Sequence, residues 1–233
     1  MRVRKLLIAV IVIAAVIFAP GAILRWKIGQ AVAGKMPEIL GQARSYSADV
    51  TGGVVGIARG RIEKVDIRGR SVRMSNGVAV DHLDIDLSGV HFKPDQTVTR
   101  VEGASFEASV TQDDLNDWLA TSRPDLHGGH ITIEDDKLIL TANPRVLLLR
   151  TPAKVEGTLQ IINGTKLCMV LKKVSTRGIR VPGIVRGRIQ RGINPVLDTE
   201  QMGIGARLDS VDVSNGAITV KGTADVNKAM AKG

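Results

Sequence analysis

From residue 49 onward, apolar and polar residues alternate in short runs separated by glycine-bearing joints. That period-two texture belongs to antiparallel strands with one buried and one wet face. Alternation is cleanest at Leu83, Ile85 and Leu87 against Asp84 and Asp86, and at Ala104, Phe106, Ala108 and Val110. Three Asn-Gly pairs, Asn76-Gly77, Asn163-Gly164 and Asn215-Gly216, lie between such runs. Asn-Gly supplies the positive φ angles of a two-residue hairpin turn. They predict hairpins joining 71–75 to 78–87, 154–162 to 166–174, and 208–213 to 217–220. Asp135-Asp136 predicts a fourth, between 131–133 and 138–140.

Helical spacing interrupts the alternation twice. Over 111–119, Thr111 can cap, Asp114 stands where a capping box places an acid, and Leu115, Trp118 and Leu119 share a face. A second helix begins at Pro182, where Val185, Ile189, Ile193 and Val196 recur at i, i+4, i+8 and i+11. Gly187, Gly192 and Pro195 weaken it and predict kinks or a break. Upstream, 28–47 has loose helical periodicity broken at Pro37 and reads as a connector. Before it, Arg2, Arg4 and Lys5 precede an apolar run from Leu6 to Leu24, just long enough to span a bilayer. A cleaved signal peptide competes with that reading. Ala19-Pro20-Gly21 is a poor cleavage site and favours an uncleaved anchor. The chain therefore divides into an anchor over 1–24, a helical connector over 25–47 and one folded domain over 48–233. The basic head favours a single pass with the bulk of the chain outside the cytoplasmic membrane, on the periplasmic side, although Arg25, Lys27 and Lys35 nearly cancel the bias.

Charge sharpens this picture. The chain carries +9, and 157–197 holds no Asp or Glu but eight basic residues, including Lys166. On the second helix Arg188 and Arg191 fall opposite the apolar stripe, with Arg186 near its edge. Such a helix suits a surface at once greasy and anionic, and an ordinary solvated helix has the same pattern. The expected headgroup contacts are Lys172, Lys173, Arg177, Arg180, Arg186, Arg188 and Arg191. The expected apolar groove is formed by Leu115, Trp118, Leu119, Val185, Ile189 and Ile193. Apolar residues at 44% argue against a disordered chain, and aromatics at 3% argue against a stacking platform for nucleic acid. The single Cys168 cannot form an intramolecular disulfide or a cysteine metal site. His127 and His130 lie in a Gly-rich loop with no nearby Cys, and Asp81, Asp84 and Asp86 alternate with apolar residues as a solvated strand face does. No nucleophile elbow, P-loop or dinucleotide fingerprint occurs, so no enzyme, metal or cofactor is expected. The heptapeptide 61–67 (RIEKVDI) echoes 207–213 (RLDSVDV), consistent with two copies of a hairpin unit or with chance.

Three blocks, SVTQDDLNDWL over 109–119, ARLDSVDVSNGAITVKGTA over 206–224 and VDHLDIDLSGV over 80–90, resemble the LmeA-like phospholipid-binding family. The resemblance runs over roughly 49–226, and the chain departs from the family pattern in its basic stretch. It implies an α+β fold: a long, curved antiparallel sheet wrapped around one or two helices, akin to tubular lipid-binding domains. It also implies an extracytoplasmic envelope protein without enzymatic chemistry whose partner is phospholipid. With the basic stretch, that partner becomes anionic phospholipid at the membrane. The rival is a structural protein whose basic face docks an acidic envelope polymer or a protein. A hydrolase with a dispersed site is a weaker third.

Overall fold

The hairpins form where the turn residues put them. Asn215 and Gly216 adopt φ of 52° and 71° and pair Ser214 with Ala217, joining β13 (Ala206–Ser214) to β14 (Ala217–Ala224). Asp136 at φ 62° closes β5 (His130–Glu134) onto β6 (Lys137–Ala142). Asn163 and Gly164 turn β9 (Ala153–Ile162) into β10 (Lys166–Thr176), with Thr165 completing a three-residue loop at the predicted strand ends. The remaining predicted hairpin pairs β2 (Arg61–Arg73) with β3 (Ala79–Phe92); its Asn76 lies outside the described residues. The computed structural model describes residues 21–74, 77–93, 97–124, 126, 128–143, 145–146, 149–150, 152–176, 179–180, 183–202 and 205–230.

The expected single long sheet is instead divided. One six-stranded antiparallel sheet has the order β1 (Ser45–Thr51), β2, β3, β4 (Val98–Thr111), β14, β13. A second runs β11 (Ile179–Arg180), β10, β9, β6, β5, with β12 (Leu197–Asp198) beside β10. A two-stranded ribbon pairs β7 (Arg145–Val146) with β8 (Leu149–Arg150). The division follows from β13, which ends the first sheet. Its Val211 and Val213 pack face-on against Ile133, Leu138 and Val155 of the second sheet, so burial replaces edge extension. The echoing heptapeptides fall on β2 and β13, each the first strand of a hairpin in the same sheet.

The helices are held by packing and by asparagine. Helix α1 (Gly21–Leu40) lies on β1; a Cβ on Gly29 would overlap the Ala48 carbonyl oxygen, so only glycine permits that approach. Ile28, Val32 and Met36 pack on Val50, Val65, Ile67 and Val90. The helix runs through Pro37 to Leu40, where the pattern predicts a break. Pro37 removes one bond in the last turn, while Met36 and Leu40 keep their apolar contacts. Among the described residues no helix is long and apolar enough to cross a membrane; residues 6–20 of the apolar run lie outside them. Helix α2 (Val54–Ala58) follows β1. Helix α3 (Gln112–Ser122) has the predicted capping box: Asp114 N–H donates to Thr111 Oγ1 at 3.2 Å, and Thr111 N–H to Asp114 Oδ2 at 3.2 Å. Helix α4 (Gly183–Ile193) runs unbroken through Gly187 and Gly192, and α5 (Val226–Met230) ends the described chain.

Candidate functional site

The first sheet has two chemically opposite faces. On one, Val65, Ile67 and Leu83 are buried, while Ile85, Leu87, Ala104, Phe106, Ala108 and Val110 are half-buried. Ile85, Leu87 and Ala104 of this band border the cluster roofed by α1, and Phe106 borders one shared with Leu167 of the second sheet. Phe106 lies over Gly222 of β14, where a Cβ would come within 2.6 Å of the ring. Extended aliphatic surface is what an acyl chain contacts, and each methylene removed from water contributes about 0.8 kcal/mol.

The opposite face is charged, and a depression of about 510 Å³ lies there, lined by Lys64, Asp66, Arg68, Asp84, Glu107 and Lys221 among others. Alternation on β2, β3 and β4 sends the charged set to this side. Lys64 bridges Asp66 and Asp86, the latter at 3.0 Å, and Lys221 meets Glu107 at 2.9 Å. The adjoining Asp66 and the Lys64 ammonium hold the Asp86 carboxyl below its ordinary range, and the same two acids raise Lys64. Asp84 and Asp86 thus sit on a solvated strand face, as the alternation predicts. His127 lies outside the described residues; among those described, no group of three His, Cys, Asp or Glu side chains is placed to hold a metal.

The basic stretch gathers on one edge of the second sheet. Lys172 is the extra residue of a β-bulge between Leu171 and Lys173, and both lysines are exposed. The bulge reverses the alternation, so Leu167, Met169 and Leu171 and then Val174 all reach apolar clusters. Strand β11 pairs with Ser175 and Thr176, and α4 continues along the same edge to β12. Arg186 and Arg191 are exposed on α4. Arg177 lies outside the described residues, as do the side chains of Arg180, Arg188 and Val185. Among the described side chains, Lys173 and Lys166 have acid partners: Lys173 lies 3.8 Å from Glu156, and Lys166 3.9 Å from Asp198 and 3.8 Å from Glu200. Sequence distance hid these, because the acids lie outside the acid-free segment.

Of the expected groove residues, Leu115, Ile189 and Ile193 meet in one place, packed on the cluster of Ile133, Leu138, Met169 and Leu171. Leu119 is 3% exposed, and Trp118 is half-buried near Gly77 of the β2–β3 turn. Val196 leaves the stripe: it lies beyond the end of α4 and is 48% exposed. The half-buried band on β3 and β4 was visible in the sequence as alternation, but nothing there marked its cover as incomplete.

A family model described as LmeA-like phospholipid-binding matches residues 20–223, which include both the apolar band and the basic edge. No curated protein and no solved structure gives a significant match.

Proposed function

The chain belongs to the LmeA-like phospholipid-binding family, and from that premise we propose that it is a non-enzymatic phospholipid carrier or sensor tethered to the outer side of the cytoplasmic membrane. The family match over most of the chain carries this reading. Half-buried Ile85, Leu87, Ala104 and Phe106 offer acyl chains a partly covered apolar track. The basic edge, with Lys172, Lys173, Arg186 and Arg191 exposed, offers charge for an anionic headgroup. Arg177, Arg180 and Arg188 complete the proposed headgroup set, with Leu115, Trp118, Leu119, Val185, Ile189 and Ile193 as its apolar neighbours.

The deciding experiment is native mass spectrometry and lipid extraction on the full chain purified in mild detergent. The expected result is co-purifying phospholipid, displaced by excess detergent. With Lys172, Lys173, Arg186 and Arg191 changed together to Gln, the retained lipid shifts from anionic to zwitterionic while the melting temperature stays put. A lipid-free protein would remove the reading. It would leave the second one, docking of the basic face to an acidic envelope polymer or protein. That alternative is favoured by one observation: Ile189 and Ile193 are already spent on the core, so α4 presents charge rather than grease.

A further inference from the structure

The end of the first sheet nearest the N-terminal apolar run has an unusual surface. The Arg25 guanidinium donates to the Gly52 carbonyl oxygen at 3.2 Å, fixing the start of α1 beside the β1–α2 connection. There Ile23 is 44%, Trp26 60%, Val54 41% and Val55 65% exposed. The β3–β4 connection sits at the same end, because Phe92 N–H donates to the Gly60 carbonyl oxygen at 2.8 Å; beyond it Val98 is also exposed. Among the described residues, these apolar tips are accompanied by exposed Lys27, Arg59, Lys93 and Arg100, against the carboxylates Glu63 and Glu102. Glu102 is already engaged, by His91 at 3.0 Å and Arg61 at 3.7 Å. A Trp, short aliphatic tips and surplus cations are the composition of a bilayer interface, where apolar side chains enter and basic ones stay among headgroups.

We propose that this end of the molecule, led by Val54 and Val55 of α2, docks into the interface of an anionic bilayer. Two observations single out a lipid surface as occupant. The exposed apolar tips coincide with a cation surplus, and the chain reaches this point directly from the apolar run 6–24. A run that crosses the bilayer delivers α1 with Ile23 and Trp26 at headgroup level, and α2 is held beside them by Arg25. Docking fixes the domain's orientation: the apolar track on β3 and β4 starts at the bilayer, and the basic edge on α4 stands away from it. Loaded headgroups would then face outward from the donor membrane.

The inference rests on the tethered reading, and its test separates the two. The full chain carrying Val55→Cys, or Asp135→Cys at the opposite end, is labelled with an environment-sensitive fluorophore and reconstituted into vesicles of phosphatidylglycerol and phosphatidylcholine. Cys168 is the sole native cysteine and is buried, so it competes little for label. Flotation reports the tether. At position 55 the expected result is a blue-shifted emission quenched several-fold by spin-labelled lipid, weaker in pure phosphatidylcholine, with no change at position 135. A chain that floats with position 55 as wet as position 135 overturns the docking alone. A chain that does not float overturns both readings.

Discussion

Asn116, Asn194 and Asn227 do the same job at three places. Each amide gives one donor and one acceptor to the backbone of a single strand residue: Asn116 to Ile131, Asn194 to Met169 and Asn227 to Val101, at 2.7–3.0 Å. The amide replaces a neighbouring strand at an open sheet edge, so a helix-bearing segment is fastened where the ladder stops. Asn194→Ala leaves both Met169 groups without partners. The expected cost is about 1–3 kcal/mol in urea unfolding, with faster amide exchange at Met169. An unchanged midpoint would mean water satisfies Met169 and α4 is held by Ile189 and Ile193 alone. Turn and cap residues were readable beforehand because their partners lie two or three positions away, as with Thr111 and Asp114. The asparagine clamps were not, because Asn194 and Met169 are 25 residues apart and Asn227 and Val101 are 126 apart.

Among the elements, depressed carboxylates on both sheets predict a pH response. Asp86 is held low by Asp66 and Lys64, Glu102 by His91 and nearby arginines, and Glu156 by Lys154 and the lysines beside it. A carboxylate depressed in the folded state stabilises fully above its unfolded value, and that stability is lost as pH falls through the folded one. Melting temperature is therefore expected to fall on acidification below about pH 4. Asp86→Asn with Glu156→Gln should flatten that slope; an identical slope would place the acid sensitivity elsewhere. Lys64 is raised, so its contribution persists below the ordinary lysine range and is lost only in strong alkali. Alternation made the charged face of the first sheet legible, strand by strand. Helix α1 was not legible as a core element, because Ile28, Val32 and Met36 point inward while Trp26 and Ile39 are exposed, and no clean stripe results.

At the scale of the whole molecule, α1 is the roof of the first sheet rather than a linker. Deleting residues 1–40 uncovers Val50, Val65, Ile67 and Val90, and the expected product is aggregated or bound by hydrophobic dye. A chain beginning at residue 21 keeps the roof and is expected to melt cooperatively. Equal solubility of the two would mean the sheet face is stable when wet. The division into two sheets was beyond a reading of local pattern, because it depends on where β13 ends its partnership and begins face-on packing. The pairing of β14 with β4 has a further consequence, in time rather than space. Ser109 and Thr219 touch across 110 residues of chain, so the six-stranded sheet acquires its last hairpin only when the C-terminal residues are present. Until then β4 offers an unpaired edge over Ser105–Thr111, the kind of strand that recruits neighbours of its own sort. A chain delivered N-terminus first leaves that edge open until residues 217–223 have been made, and its yield is expected to depend on what shields β4 during that interval.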